Sequence, residues 1–188
     1  MGYESLAFSK ASKILQEAYG SRKAYNYVEE TAENDRLTVS VASFIEDRDS
    51  FYLATIGESG YPYVQYKGGP KGFLKVLDAK TIGMIDFSGN KQYITAGNIN
   101  TNNKVSLFLV DYPQQARLKL FADVRILEIN EEPELFTILQ LPDYKYKAER
   151  ILIFDIKGFN WNCSQHITPR YTVEEIAAVS DQFRNFNS

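Results

Sequence analysis

The aromatic content of the chain and its run of consecutive strand patterns predict a mainly β fold with flanking helices. The 188 residues include 13 tyrosines and 12 phenylalanines, a heavy share for this length, and such side chains fit the half-buried surface of a sheet. From residue 50 onward, strand patterns follow one another without the long crossovers that parallel pairing needs. We therefore expect an antiparallel sheet, and the number of strands favours a barrel.

The first 48 residues are predicted to be helical. Apolar side chains recur at roughly helical spacing over Ser5–Tyr19, and Gly20 is suited to end that helix. Ser21 is suited to cap a second helix that reaches about Val28, and a third helix is predicted over about Leu37–Asp47. We expect this helical segment to pack beside the barrel.

The remainder of the chain alternates strand patterns with turns and short helices. Seven segments have the composition and alternation of strands. They are Phe51–Ile56, Tyr61–Lys67, Phe73–Leu77, Thr81–Phe87, Lys104–Tyr112, Ala116–Ile129 and Ile151–Ile156, with Trp161 on a continuation of the last. Helices are predicted over about Gln92–Asn98 and Glu131–Leu139. Thr172 and Glu175 have the spacing of a capping box, which predicts a C-terminal helix over about 172–184. We expect a single domain spanning residues 1–188.

Composition excludes several classes of function. The net charge is −3 with acids and bases interspersed, whereas nucleic-acid binding usually needs a basic excess. No apolar run approaches the roughly 18 residues that would span a membrane, and the first residues have no secretory signal. Cys163 is the only cysteine and His166 the only histidine, so an internal disulfide and a multi-histidine metal site are excluded. We expect a cytoplasmic protein that binds no metal, no membrane and no nucleic acid.

Five stretches of the sequence carry a resemblance to a known family. They are Asp49–Thr55, Gly60–Gln65, Gly72–Asp78, Asp86–Ile94 and Phe159–Ile167, in this order. Together they resemble the pyridoxamine 5′-phosphate oxidase-like family of FMN-binding split β-barrels, over about Ile45 to Tyr171. The resemblance implies an antiparallel split β-barrel, FMN as the cofactor, and a homodimer with FMN at the subunit interface.

The resemblance also implies a phosphate site made of basic residues and one loop. The basic residues that bind phosphate in the family correspond to Lys75 and Lys91. The loop after the fourth predicted strand adds further candidates, namely Ser88, Asn90 and Gln92. A phosphate dianion needs cations, hydroxyls and free backbone N–H groups, which a loop that opens a helix can supply. The alternative is two solvated lysines and a helix cap.

Further candidates for cofactor contact follow from the same resemblance. They are Tyr63, Val64 and Gln65 along the polar edge of the flavin ring, Lys67 near the ring or the ribityl chain, Arg117 near the cofactor, and Trp161 and Gln165 closing over the flavin from the partner subunit. Each has a structural alternative: Gln65 on the polar face of a strand, Arg117 in a cross-strand ion pair, Trp161 as a buried aromatic side chain.

The chain departs from authentic pyridoxamine 5′-phosphate oxidases in two places. It has Tyr63-Val64-Gln65-Tyr66-Lys67 where they carry an Arg-x-Val-Leu-Leu-Lys strand, and it lacks their Arg-Leu-x-Pro ending. Vitamin B6 oxidation is therefore not predicted.

Three hypotheses for function remain. The first is an FMN-dependent oxidoreductase that moves electrons between a reduced donor and a small acceptor or oxygen, with no catalytic residue identified. The second is a flavin carrier or sensor without turnover, and the third is a split barrel that binds a deazaflavin. Haem is disfavoured because His166 is the only histidine available as an axial ligand.

Overall fold

The computed structural model describes residues 2–177, which form a seven-stranded antiparallel sheet with flanking helices. The strands are β1 (Ser50–Ile56), β2 (Pro62–Gly68), β3 (Lys75–Asp78), β4 (Thr81–Phe87), β5 (Lys104–Asp111), β6 (Ala116–Leu127) and β7 (Ala148–Asn162). The helices are α1 (Tyr3–Ala7), α2 (Lys10–Ala18), α3 (Arg22–Thr31), α4 (Val39–Glu46), α5 (Ile94–Thr101) and α6 (Pro133–Leu139). The predicted mainly β class with flanking helices is confirmed.

The sheet is a barrel that remains open on one side. Its strand order is β2-β1-β5-β6-β7-β4-β3, so β2 and β3 are the two edges. Lys67 of β2 nevertheless forms an ion pair with Asp86 of β4, with 2.5 Å between Nζ and Oδ1. The sheet therefore curls until β2 and β4 face each other, although no backbone hydrogen bonds join these two strands. The predicted antiparallel split β-barrel is confirmed, and the split lies between β2 and β4.

The core lies inside the curled sheet. Alternate residues of β5 and β6 point inward, as the period of a strand requires. Residues that are buried almost completely on this inner face include Leu53, Met84, Leu107, Leu120 and Phe154. Helix α4 closes one end of the barrel with Val41 and Ile45. A separate cluster packs α6 against the outside of β4 and β7.

Two predicted strand bounds need correction. Phe73 and Leu74 were expected to begin a strand, but they lie in the loop before β3, where both are almost fully buried in the core. The last strand is longer than predicted, and Trp161 lies on it as expected. The register against β6 shifts between Phe121 and Ala122, which leaves Lys157 as an extra residue. Such a bulge bends a strand, and here it allows one long strand to follow the curl.

The predicted helix over Ser5–Tyr19 is wrong in one respect, since the structure contains two helices there. The chain leaves the helical conformation at Phe8, and α2 starts afresh after Ser9. The Ser9 hydroxyl accepts a hydrogen bond from the Ser12 backbone nitrogen at 3.1 Å, so a local cap competes with a continuous helix. Helices α2 and α3 bury none of their residues.

Helix α1 packs on the outside of β7 at a point where the strand has no side chain. A Cβ atom on Gly158 would lie 2.5 Å from the Tyr3 backbone nitrogen, so only glycine allows this approach. The Tyr3 ring stacks on Phe121 with 4.7 Å between centroids. The buried Glu4 carboxylate accepts hydrogen bonds from the side-chain amides of Asn34 and Asn160 at 2.6 and 2.7 Å. This contact fixes the start of the helical segment to the barrel.

The C-terminal capping box is confirmed. The Thr172 hydroxyl accepts from the Glu175 backbone nitrogen at 3.2 Å, and the Glu175 carboxylate accepts from the Thr172 nitrogen at 2.8 Å. Residues 173–177 are helical, and the remainder of the predicted helix lies outside the described residues. Within residues 2–177, no helix has the length and apolar character needed to cross a membrane, and no cluster of side chains suits a metal ion.

We expect Gly158→Ala to lower the free energy of unfolding by about 1–3 kcal/mol, the usual cost of overpacking. The added methyl group would collide with the backbone of Tyr3, so α1 must move away from β7. Urea-induced unfolding measures the change.

The matched control for that substitution is Gly97→Ala in α5. Its methyl group would meet no atom within 4 Å, and alanine is favoured over glycine inside a helix by about 0.5–1 kcal/mol. This variant should be at least as stable as the parent. An unchanged unfolding free energy for Gly158→Ala would contradict the close approach of α1.

Candidate functional site

A cleft of about 300 Å³ opens where the barrel is split. It is bounded by β2, the end of β4, the loop before α5, the first turn of α5 and the start of β7. We call it the split cleft. It brings together six of the residues predicted to contact the cofactor: Tyr63, Gln65, Lys67, Asn90, Lys91 and Gln92. Ser88 lies in the same loop but does not line the cleft. Small-molecule sites usually measure about 300–1,000 Å³, so this volume is at the low end.

Strand β2 supplies one wall of the cleft through alternate residues. Tyr63, Gln65 and Lys67 point towards the cleft and are partly buried. Val64 points to the opposite face and is 58% exposed. The Val64 side chain therefore points away from the cleft of its own protomer.

Helix α5 is held against the β1–β2 hairpin by two side-chain hydrogen bonds. The Thr95 hydroxyl donates to Gln65 Oε1 at 2.6 Å, and Asn98 Nδ2 donates to Thr55 Oγ1 at 2.9 Å. Thr55 and Thr95 are both buried. These bonds fix the amino-terminal turn of α5 at the edge of the cleft, where Ile94 and Thr95 line it.

The predicted start of this helix at Gln92 is wrong. Helix α5 begins at Ile94, because Lys91 and Tyr93 have positive φ angles of 60° and 54° that interrupt a right-handed helix. The sequence Ser88–Gln92 is therefore an irregular loop that turns the chain into the cleft. Tyr93, the residue before the helix, makes no side-chain cap, which leaves backbone N–H groups of the first turn available.

Five charged or polar side chains form a network along the cleft. Asp86 pairs with Lys67 at 2.5 Å and lies 3.5 Å from Arg150 Nε. Arg150 also donates to Glu149 at 2.6 Å, and the Tyr93 hydroxyl donates to the same carboxylate at 2.9 Å. The hydrogen bonds from Arg150 and Tyr93 hold the pKa of Glu149 below its usual value. In return, the hydrogen bond to Glu149 raises the pKa of Tyr93.

Lys91 differs from the other two cations of the cleft. Lys67 and Arg150 are paired with carboxylates. Lys91 makes no hydrogen bond or ion pair within residues 2–177 and acts on Glu149 only through its charge. Three cations and two carboxylates leave the cleft with one net positive charge. An unpaired ammonium beside the amino-terminal end of a helix is an arrangement that binds phosphate or carboxylate groups.

The other predicted site residues lie outside the split cleft. Lys75 donates to the backbone oxygens of Ile138 and Gln140, at the carboxyl end of α6. Arg117 donates to the Cys163 backbone oxygen at 2.7 Å, so the cross-strand ion pair considered for it is absent from the described part of the chain. Trp161 packs edge-on against Phe44 and is 43% exposed rather than buried. Gln165 is exposed in the segment after β7.

Five polar or charged residues of the cleft were not predicted from the sequence. They are Asp86, Tyr93, Thr95, Glu149 and Arg150. Arg150 faces Asp86 in the pairing of β7 with β4, and sixty residues of chain separate these two strands. The Glu149-Arg150 pair precedes an apolar strand and could have been noticed as a charged strand end. No pattern in the sequence indicates that the Glu149-Arg150 pair lies in the same cleft as Lys91.

Comparison with protein families gives one match. The family model described as pyridoxamine 5′-phosphate oxidase matches residues 37–151, which is more than half of the chain. The match begins after α1, α2 and α3 and contains every strand except most of β7. No curated protein matches the sequence.

Solved structures similar to this chain share its fold at low sequence identity. An FMN-binding protein from Syntrophomonas wolfei subsp. wolfei has a TM-score of 0.52 and 13% identity, over 79% of this chain and 97% of that one. A candidate pyridoxamine 5′-phosphate oxidase from Lactobacillus delbrueckii has a TM-score of 0.52 and 20% identity, over 68% and 96%. HupZ from Group A Streptococcus has a TM-score of 0.51 and 13% identity, over 72% and 100%.

We expect Tyr93→Phe to raise the pKa of Glu149 towards its usual value, because one of the two hydrogen bonds to the carboxylate is lost. A carboxylate with a lowered pKa contributes stability above its usual pKa and loses it as the pH falls through the lowered value. The variant should therefore be less stable than the parent above the usual carboxyl pKa, and the difference should disappear as the pH falls through the lowered value.

Carboxyl ¹³C NMR across a pH titration measures the Glu149 pKa directly. Tyr61→Phe is the control, since Tyr61 is 81% exposed and lies outside the network. The same Glu149 pKa in the parent and in Tyr93→Phe would contradict the hydrogen bond.

Proposed function

Because the chain belongs to the pyridoxamine 5′-phosphate oxidase family, we propose that it is an FMN-dependent oxidoreductase that holds the FMN phosphate in the split cleft. The observation that carries this proposal is that Lys91, which makes no hydrogen bond or ion pair within residues 2–177, lines the same cleft as the first turn of α5. The donors present fit the group, since a phosphate dianion requires a cation together with several N–H donors. The similarity in fold to an FMN-binding protein supports the choice of cofactor.

The phosphate contacts that we propose come from one loop and one helix. Lys91 supplies the charge, the backbone N–H groups at the start of α5 supply directed donors, and Asn90 and Gln92 supply side-chain amides. Arg150 and Lys67 strengthen the positive field but are already paired with Glu149 and Asp86. Lys75 is not part of the proposed site, because its ammonium donates hydrogen bonds to two backbone oxygens at the end of α6.

The ring of FMN would supply the redox chemistry, and the protein would bind and orient it. We propose that Tyr63, Gln65 and Lys67, which line one wall of the cleft, lie towards the polar edge of the ring. Gln65 is oriented by its hydrogen bond from Thr95, so its amide nitrogen is directed away from that bond. The substrate is expected to be a small molecule, and the predicted cytoplasmic location stays a prediction.

We also propose a homodimer that completes the site. Ile56, Val64 and Tyr66 form an apolar patch on the outer face of β1 and β2, and they are 44%, 58% and 61% exposed. Contiguous exposed apolar side chains on a sheet face are typical of an interface. Arg117, Trp161 and Gln165 do not line the cleft of their own protomer. A partner on this face would lie next to β2 and could bring its own copies of these residues towards the flavin.

Lys91→Ala should weaken FMN binding by about tenfold or more, since a hydrogen bond to a charged group contributes about 1.5–3 kcal/mol. The absorption spectrum after addition of FMN and removal of the excess shows retention, and a fluorescence titration gives the dissociation constant. Bleaching of the bound flavin by NADH or NADPH then distinguishes an oxidoreductase from a flavin carrier or sensor.

Two lysine variants serve as controls for that experiment. Lys104→Ala removes a side chain that is 76% exposed and outside the cleft. Lys75→Ala removes the lysine of β3 that donates hydrogen bonds to the end of α6. Both should retain FMN like the parent. A protein that holds no FMN at high concentration would overturn the proposed function, and equal affinity in Lys91→Ala would overturn the proposed phosphate site.

Val64→Glu should convert the dimer to a monomer and reduce FMN retention, because it places a carboxylate in the centre of the apolar patch. Sedimentation velocity measures the mass. Val39→Glu is the matched control, since Val39 is 85% exposed at the start of α4, an element that does not carry the patch. A parent protein that sediments with the mass of one chain would refute the dimer.

A further inference from the structure

The side-chain amide of Gln65 joins two elements that bound the split cleft. Gln65 is on β2 and half-buried, and its Oε1 atom accepts a hydrogen bond from the Thr95 hydroxyl at 2.6 Å. Thr95 is the second residue of α5 and lies 30 residues from Gln65 in the chain. Both residues line the cleft. This bond therefore ties the strand wall of the cleft to the helix start.

The length of this bond decides which end of the amide faces Thr95. A heavy-atom distance of 2.6 Å suits an O–H···O bond, usually about 2.7–2.8 Å, better than an N–H···O bond of about 2.9–3.0 Å. The amide oxygen is therefore directed at Thr95, and the amide nitrogen points elsewhere. Because Thr95 is only 8% exposed, water competes little with Gln65 for the hydroxyl.

The amide nitrogen of Gln65 is an unused donor. It makes no hydrogen bond within residues 2–177, and it is not among the fully buried side-chain atoms of that part of the chain that are without a partner. An atom that is neither bonded nor fully buried, on a residue that lines the cleft, is available to a ligand there. With its oxygen held by Thr95, Gln65 offers the ligand two N–H groups and no acceptor.

The next inward-pointing side chain of β2 is also a donor. Lys67 follows Gln65 by two residues, and its ammonium is paired with Asp86 through one contact of 2.5 Å. An ammonium has three N–H groups, so others remain for a ligand. Alternate residues of a strand are about 6–7 Å apart. This part of the β2 wall therefore matches a flat molecule whose facing edge carries acceptors.

We propose that Thr95 is a positioning residue that holds Gln65 as a hydrogen-bond donor, so that the cleft selects ligands which present a carbonyl oxygen to β2. The inference rests on the proposed function, since for FMN the acceptor is one of the two carbonyl oxygens of the ring. The Thr95 hydroxyl is used by Gln65 and does not itself contact the ligand. The same residue belongs to the first turn of α5, so it links the phosphate end of the cleft to the ring end.

Infrared spectra of the FMN-loaded protein test this role. FMN that carries ¹³C at C2 or at C4 identifies the two ring carbonyl bands. Thr95→Val removes the hydroxyl at nearly constant volume, and Gln65→Met removes the donor while α5 is left unchanged. Because a hydrogen bond weakens a C=O bond, one band should lie at lower frequency in the parent than in both variants. Thr95→Ser, which keeps the hydroxyl, should restore the parent band.

The FMN affinity should change in the same order. Loss of one neutral hydrogen bond should raise the dissociation constant in Gln65→Met and in Thr95→Val by about two- to tenfold. Thr95→Ser should bind like the parent. A fluorescence titration measures the four dissociation constants.

Two further variants of α5 separate the orientation of Gln65 from the placement of the helix. Asn98→Ala breaks the other bond between α5 and the hairpin, from Asn98 to Thr55. It should lower the free energy of unfolding while the carbonyl band stays at the parent position. Thr101→Val makes the same substitution at the other end of α5, where the hydroxyl bonds only to the Asn98 backbone oxygen. It should match the parent in both the band and the FMN affinity.

The outcomes distinguish this inference from the proposed function. Retention of FMN with the same carbonyl bands in the parent, Thr95→Val and Gln65→Met would overturn the positioning role and leave the proposed function intact. A band shift in Asn98→Ala as large as in Thr95→Val would also overturn it, because Thr95 would then act only through the position of α5. A parent protein that retains no FMN would overturn both.

Discussion

The seven-stranded sheet must bury one apolar face against itself, and the rest of the structure depends on this constraint. The sheet curls until β2 faces β4, and the ion pair between Lys67 and Asp86 joins the two strands where no backbone hydrogen bonds do. Both side chains are largely buried, at 11% and 15% exposure. Removing one partner of a buried ion pair typically costs about 3–5 kcal/mol, because the other charge is left unpaired.

The candidate site is a consequence of this incomplete closure. A closed barrel would pair every strand, whereas the split leaves one wall of β2 side chains opposite the charged start of β7. Helix α5 fills part of the gap and is tied to the hairpin through Gln65 and Thr55. Lys67, Lys91 and Arg150 outnumber the carboxylates of Asp86 and Glu149 by one, so the cleft has one net positive charge. The geometry thus favours one anionic group at one position.

The proposed phosphate site depends on local backbone conformation. The split cleft is lined by a helix start and by a loop in which Lys91 and Tyr93 have positive φ angles. Backbone donors at a helix start suit a phosphate group.

The sequence by itself determined the class of fold, most strand positions and the loop that carries Lys91, because alternation and turn residues are local properties. It could not show that Ser9 divides the first helix, or that Phe73 and Leu74 are core residues in a loop. The resemblance implies a phosphate contact for Lys75, which stays a prediction. In the structure its ammonium donates to the backbone oxygens of Ile138 and Gln140 at the end of α6. Only the tertiary structure brought Asp86, Glu149 and Arg150 to Lys91, because the curl of the sheet joins strands that are far apart in the chain.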